Sequence, residues 1–223
     1  MAVSFIAEKH DLQVSYSNVS TIERLGIQLF SGKNVHATTK VLTNDNYFET
    51  LNQSELSENL DPNNAYFQTK EIVQKIYDFI CAKKEAIMSK NPFSSRYSAN
   101  NDCFVHIRLG DVPHYNVGFE YYNKVISSLN YDTLFISSDS PSHGIIRSLR
   151  LIHKRSVIVD EDEVGTIQFA STCKHIVLSH GSFSSFIGYV SFFSDVYYPA
   201  YSLASKVWHG DIFDIPGWTR VGM

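Results

Sequence analysis

From residue 103 onward, short apolar runs alternate with amphipathic stretches of about ten residues. CFVHIRL (103–109) reads as a strand, and GFEYYNKVISSL (118–129) as a helix with Tyr121, Val125 and Leu129 on one face. TLFISSD (133–139), SVIVD (156–160), KHIVLSH (174–180) and DVYYP (195–199) read as further strands. PSHGIIRSLRLI (141–152), EVGTIQFASTC (163–173) and SFSSFIGYVSFF (182–193) supply the helices between them. Strands separated by single helices mean βαβ units and a parallel sheet. The fold class expected is α/β, with residues 101–223 forming one doubly wound, Rossmann-like domain.

Before residue 103 the rhythm is less regular. The opening residues read as a short helix running into LQVSY (12–16), which alternates in the manner of a half-buried strand. SELSENLDPNN (54–64) is polar and contains Pro62, which makes it the best linker candidate. After it, Ile72, Val73, Ile76, Tyr77, Ile80 and Ile87 recur at helical spacing, and NPFSSRYSANND (91–102) closes that helix in a loop. The chain therefore divides into an N-terminal α/β region (1–60), a connecting helix and loop (61–100) and the sheet domain (101–223). It shows no internal repeat and no low-complexity tract.

Composition narrows the function classes. At 223 residues, with 19% charged and 13% aromatic residues, the chain is globular and long enough to bury a real core. A net charge of −4 argues against a global field for nucleic acid, so no nucleic-acid partner is expected. Cys81, Cys103 and Cys173 show no CxxC spacing, which argues against a disulfide framework or structural zinc and suits a reducing compartment. No run of 18 apolar residues and no signal-peptide pattern occurs, so neither a membrane span nor secretion is expected, and a cytoplasmic location is. Asn18 and Asn52 head short glycosylation sequons of the kind that arise mostly by chance.

In open α/β sheets, ligands bind outside the carboxyl ends of the strands. There the sequence puts His106, Arg108, Gly110 and Asp111; then Ser137, Ser138 and Asp139; then Asp160 and Asp162; then His180, Gly181, Ser182 and Ser184. A guanidinium fork suits phosphate oxygens, and HGSFSSF (180–186) opens a helix whose first N–H groups and dipole favour an anion. Taken singly, each has a plainer reading. Ser182 and Ser184 suit N-caps, Asp139 a turn, Asp160–Glu163 a solvated helix start and His175 a hydrogen-bonded core histidine. Their coincidence at four successive strand ends is what points to a pyrophosphate clamp.

The motifs themselves resemble a known family. FVHIRLGD (104–111) resembles the HxRxGD motif of the α-1,2-fucosyltransferases, and behind it the HxRRxD of the α-1,6 enzymes. GFEYYNKVI (118–126) and LFISSDSP (134–141) look like the helix and strand that follow that motif. DEVGTIQFASTCKHIVLSHGSFSSFIGYV (162–190) resembles the family's DLxLMSxCKHxIxxNSTFSWWxAxL segment, the most specific of the set. Upstream, NNAYFQTKEI (63–72), AEKHDLQVSYSN (7–18) and LGIQLFSG (25–32) keep the family's order.

The resemblance implies a GT-B-like fold and an inverting, metal-independent transfer of fucose from GDP-fucose to a sugar hydroxyl, with no cofactor. The partners it implies are a GDP-sugar donor and a glycan acceptor, and it leaves a homo-oligomer open. Arg108 would bind the β-phosphate with His106 beside it, Asp111 and His114 would be the candidates for a base, and Asp111 could instead be a loop anchor. Ser182, Phe183 and Ser184 would serve the pyrophosphate, and Ser138, Asp139 and Asp162 the rest of the donor. The sequence departs from the pattern in three ways. The family's opening strand and GxxGNQxFQ turn are not in it, so residues 1–60 are expected to form a reduced acceptor-side region. Leu109 stands where the related enzymes carry a second arginine, a lost phosphate donor worth about 1.5–3 kcal/mol. Ser185 and Phe186 replace a double tryptophan. A catalytically inactive relative that still binds a nucleotide sugar or glycan is the alternative.

Overall fold

A computed structural model describes residues 1–62, 65–110, 116–200 and 212–222. The N-terminal region is built from α1 (Ala2–His10), α2 (Val19–Arg24), β1 (Thr39–Val41), α3 (Tyr47–Asn52) and β2 (Asn59–Asp61). The alternation expected over residues 12–16 is present: Leu12 is buried, Val14 and Tyr16 half-buried, Gln13 and Ser15 exposed. This segment makes only one parallel bridge, Leu12 to Asn34. β1 and β2 pair in parallel, so the stretch expected to be a linker contains a strand. One of its polar residues is used in the fold. Asn59 accepts the His36 N–H at 2.9 Å and donates to the His36 carbonyl at 2.6 Å, while Leu60 packs against the local core. That core gathers Ile6, Leu12, Leu42, Tyr47, Phe67 and Ile72.

The long helix expected after residue 65 forms as two, α4 (Lys70–Ala82) and α5 (Lys84–Lys90), broken at Lys83. The Thr69 side chain caps α4 by accepting the Ile72 N–H. Val73, Ile80 and Ile87 enter the larger core of the molecule, as do Leu25 and Ile27 from the N-terminal region. Gly26 makes that entry feasible. Its φ of 81° closes α2 with the Ile27 N–H on the Ile22 carbonyl and the Gly26 N–H on the Glu23 carbonyl. A Cβ there would lie 2.6 Å from the Ala86 carbonyl oxygen.

The C-terminal part alternates as the sequence predicts: β3 (Cys103–Ile107), α6 (Gly118–Ser128), β4 (Leu134–Ser138), α7 (Gly144–Ile152), β5 (Ser156–Ile158), α8 (Glu163–Ala170), β6 (His175–Val177), α9 (Ser182–Tyr189), β7 (Asp195–Pro199) and β8 (Thr219–Val221). All six strands are parallel, in the order β5-β4-β3-β6-β7-β8. Renumbered from the first strand of this sheet, that is 3-2-1-4-5-6, the doubly wound order. β8 was not legible: Thr219-Arg220-Val221 has no apolar run and is placed by pairing with Tyr197–Pro199, with Val221 packed on the core beside it.

Side chains alternate across the sheet into two cores. Phe104, Ile176, Leu178 and Val196 meet α4, α5, α8 and α9 on one face. Val105, Ile107, Leu134, Ile136 and Val177 meet α6 and α7 on the other. β3 is buried at all five positions because it lies mid-sheet with helices on both faces. Among the described residues, no helix is long and apolar enough to cross a membrane.

Candidate functional site

The strand order reverses between β3 and β6, and the crevice at such a switch point is where open α/β sheets hold ligands. A cleft of about 670 Å³ opens there. His106, Arg108, Ser138, Asp139, Asp162, Ser182 and Phe183 line it, so seven of the nine residues expected to act converge on one space. Gly110, Ser137, Glu161, Glu163 and Thr166 complete its wall. Asp111, and the neighbouring His114, lie outside the described residues.

Arg108 follows directly on β3, and its guanidinium lies against Gly181. A Cβ on Gly181 would fall 2.3 Å from Arg108 Nη1, and the glycine has φ +94°. Gly181 is the N-cap of α9, and no side chain caps that helix. The first N–H groups of α9, with the positive end of its dipole, therefore lie beside the guanidinium. Two cationic elements from separate strands share one corner of the cleft.

Two buried serines support this corner rather than line it. Ser179 Oγ accepts the Arg108 N–H at 3.2 Å. Ser184 Oγ accepts the Ser179 N–H at 2.8 Å and lies 3.2 Å from His106 Nδ1. Ser184 is fully buried. It is thus neither the N-cap nor a group facing the pyrophosphate, as its sequence position suggested, but a strut joining the ends of β3 and β6. His106 is held neutral: burial pulls its pKa down to about 4, with the Arg108 charge adding to the effect and Asp139 opposing it. His180 is pulled to about 4 as well, by burial and then by Arg108.

Asp139 is committed to the protein. Its Oδ1 accepts the Leu109 N–H at 2.8 Å and its Oδ2 the Gly110 N–H at 2.9 Å, which latches the loop after β3 to the end of β4. Asp162 caps α8 by accepting the Gly165 N–H at 2.7 Å and pairs with Arg24, also at 2.7 Å. These contacts, the backbone bond first, hold its carboxyl below the usual range. Ser138 receives the Ser140 N–H at 3.1 Å. Asp160 is exposed and outside the cleft lining, and His175 faces Asp195 at 3.4 Å on β7. Leu109 is buried among Val105, Ile107 and Tyr122. A side chain at that position points into the core, so the lost phosphate contact expected from Leu109 is not set there.

Arg24 and Ser179 were missed in the sequence. Ser179 stands next to His180 and was visible in SHGS, but Arg24 lies 138 residues from its partner and leaves no local signal. Replacing Asp139 with alanine is expected to free both loop N–H groups. It should lower stability by about 1–2 kcal/mol in urea unfolding and weaken anion binding roughly tenfold by calorimetry.

Among the described residues, no cluster of three or more His, Cys, Asp or Glu side chains is placed to hold a metal ion. A larger groove, about 920 Å³, runs between residues 12–17 and Asn59–Leu60 in the N-terminal region. No charged side chain lines it among the described residues. No family model matches the chain, and no curated protein matches it.

Proposed function

We propose that the chain is an inverting glycosyltransferase of the GT-B kind that moves fucose from GDP-fucose to a sugar hydroxyl without a metal. The observation that carries this reading is the Arg108 guanidinium lying on Gly181, at the uncapped start of α9, in the switch-point crevice. In such a transfer the acceptor oxygen attacks the anomeric carbon from the face opposite GDP, its proton leaves to a base, and the bond to the β-phosphate oxygen breaks. Negative charge then grows on the diphosphate. A guanidinium fork and aligned N–H groups stabilise that charge most where it is greatest, in the transition state.

In this reading Arg108 and the first turn of α9 bind the diphosphate, and Ser182 and Phe183 border it. His106 remains neutral and, through Ser184 and Ser179, fixes the backbone that carries Arg108. Ser138, Asp139 and Asp162 form the far wall, and Asp111 is proposed as the base. The inactive-relative reading has one observation in its favour: the two aspartates expected to act, Asp139 and Asp162, are already bonded within the protein.

The test is GDP release from GDP-fucose, in EDTA, with and without a panel of mono- and oligosaccharide acceptors. Release accelerated by a sugar supports the transferase. Saturable GDP binding with no accelerated release supports the inactive relative, and neither binding nor release overturns both.

A further inference from the structure

The charges around the cleft pose a problem for the diphosphate proposed to bind there. Among the described residues that line it, Arg108 is the one cation, against the carboxylates of Asp139, Glu161, Asp162 and Glu163. His106 adds no charge near neutral pH, its pKa lying at about 4. The dipole of α9 is equivalent to about half a unit charge, which leaves the balance negative. A cleft lined by an excess of one sign repels a ligand of that sign. Asp139 is bonded to two loop N–H groups, and among the described residues neither Glu161 nor Glu163 forms a salt bridge.

Asp162 is the carboxylate that does carry a cation. Its Oδ1 accepts the Gly165 N–H at 2.7 Å, which caps α8, and its Oδ2 accepts from Arg24 Nη2, also at 2.7 Å. Arg24 belongs to α2, in the N-terminal region, and is not among the residues lining the cleft. Its backbone is fixed where it stands. The Arg24 carbonyl accepts from Gln168 Nε2 at 3.1 Å, and the next residue, Leu25, is buried in the larger core. Gln168 lies on α8 itself and also donates to the Lys90 carbonyl at 3.2 Å, tying the end of α2 to α5 and α8 together. From that anchor the Arg24 side chain reaches the N-cap of the same helix. The pair is half exposed, and an exposed pair adds little to stability. Its effect is to be sought in the field it sets at the cleft.

We infer that Arg24 is a positioning residue for the anion, acting through Asp162: it holds that carboxylate on the cap of α8 and cancels its charge, so that an acidic wall admits a diphosphate. This rests on the reading that the cleft holds a nucleoside diphosphate. The charge that does so comes from a helix of the other region of the chain, 138 residues away in sequence. The N-terminal region thereby contributes to donor affinity without touching the donor.

The test is calorimetric titration of the full chain with GDP in EDTA, at about 10 mM and about 0.15 M salt, where the screening lengths are about 30 and 8 Å. Arg24→Gln is expected to bind about fivefold more weakly than wild type at low salt, the size of one unit charge acting through water on a diphosphate, and the difference should shrink to about twofold at the higher salt. Arg24→Lys keeps the charge and should stay within about twofold of wild type. Asp162→Asn removes the carboxylate charge and keeps the cap, so it should bind severalfold more tightly. The double variant Arg24→Gln, Asp162→Asn should recover most of the affinity that Arg24→Gln loses. A silent Arg24→Gln, a loss that salt does not reduce, or a double variant no better than Arg24→Gln overturns the inference. Saturable binding by wild type alongside any of these overturns this inference alone, whereas no binding by wild type overturns the diphosphate reading and this inference with it.

Discussion

Arg108→Ala is expected to weaken GDP binding by more than a hundredfold while leaving the fold intact. The guanidinium sits half-buried at the end of β3, where water competes less for a diphosphate than on an open surface. Removing one partner of such a charge pair costs about 2–5 kcal/mol, and about 3 kcal/mol is already a hundredfold. Arg108→Lys keeps the charge and loses the fork, so it should fall between, roughly tenfold weaker than wild type. Gly181→Ala probes the same corner without touching the arginine. Its Cβ would collide with Nη1 at 2.3 Å, and φ +94° disfavours any L side chain. It should therefore lose GDP binding as well, at an added stability cost of about 1–3 kcal/mol. Titration calorimetry without metal decides the matter. If Arg108→Ala binds GDP as wild type does, the diphosphate lies elsewhere and the proposed clamp is wrong.

The sheet was legible because its strands are apolar runs cut by amphipathic helices. β2 was not legible: Asn59-Leu60-Asp61 becomes a strand by pairing with Thr39–Val41, with Asn59 also bonded to His36, 23 residues earlier. β8 was hidden for the same reason, its three residues being placed by pairing with β7 and by the packing of Val221. At the site, residue types and strand ends marked the cleft, but they did not divide liners from struts. Ser182 and Ser184 look equivalent in HGSFSSF. The helix turn separates them, exposing the first and burying the second against His106. Asp139 also has a scaffold role that SSDSP does not reveal, because β3 and β4 are neighbours whose register sets Ser138 opposite Ile107. Polar groups at a strand end are shared between binding and scaffold, and the sharing is a tertiary fact.

That scaffold should make the fold sensitive to acid. His106 is 6% exposed, and its pKa falls from 6.5 in an unfolded chain to about 4. Between those values the unfolded chain carries the proton and the folded protein does not, so unfolding takes up a proton and stability drops as pH falls. Above about pH 7 both states are neutral and the effect vanishes; below about pH 4 both are charged and the loss is complete. For His106 the loss approaches about 3 kcal/mol, with a slope of about 1.4 kcal/mol per pH unit in the middle of the window. His180, half-buried beside Arg108, adds a smaller loss of the same sign. His10, His153 and His175 are also lowered, so the difference between variants is the informative quantity. His106→Gln keeps a polar partner for Ser184 and removes the titration. Urea unfolding across the window should show wild type losing stability faster than this variant, by about 1.4 kcal/mol per pH unit. Parallel lines would mean that His106 is already solvated in the folded protein. The Ser184 strut, and with it the fixed position of Arg108, would then lose its basis. Bound GDP should oppose the acid loss, because a diphosphate beside His106 favours the charged ring. A larger stabilisation by GDP at the acid end than at neutral pH would tie the histidine, the strut and the clamp to one site.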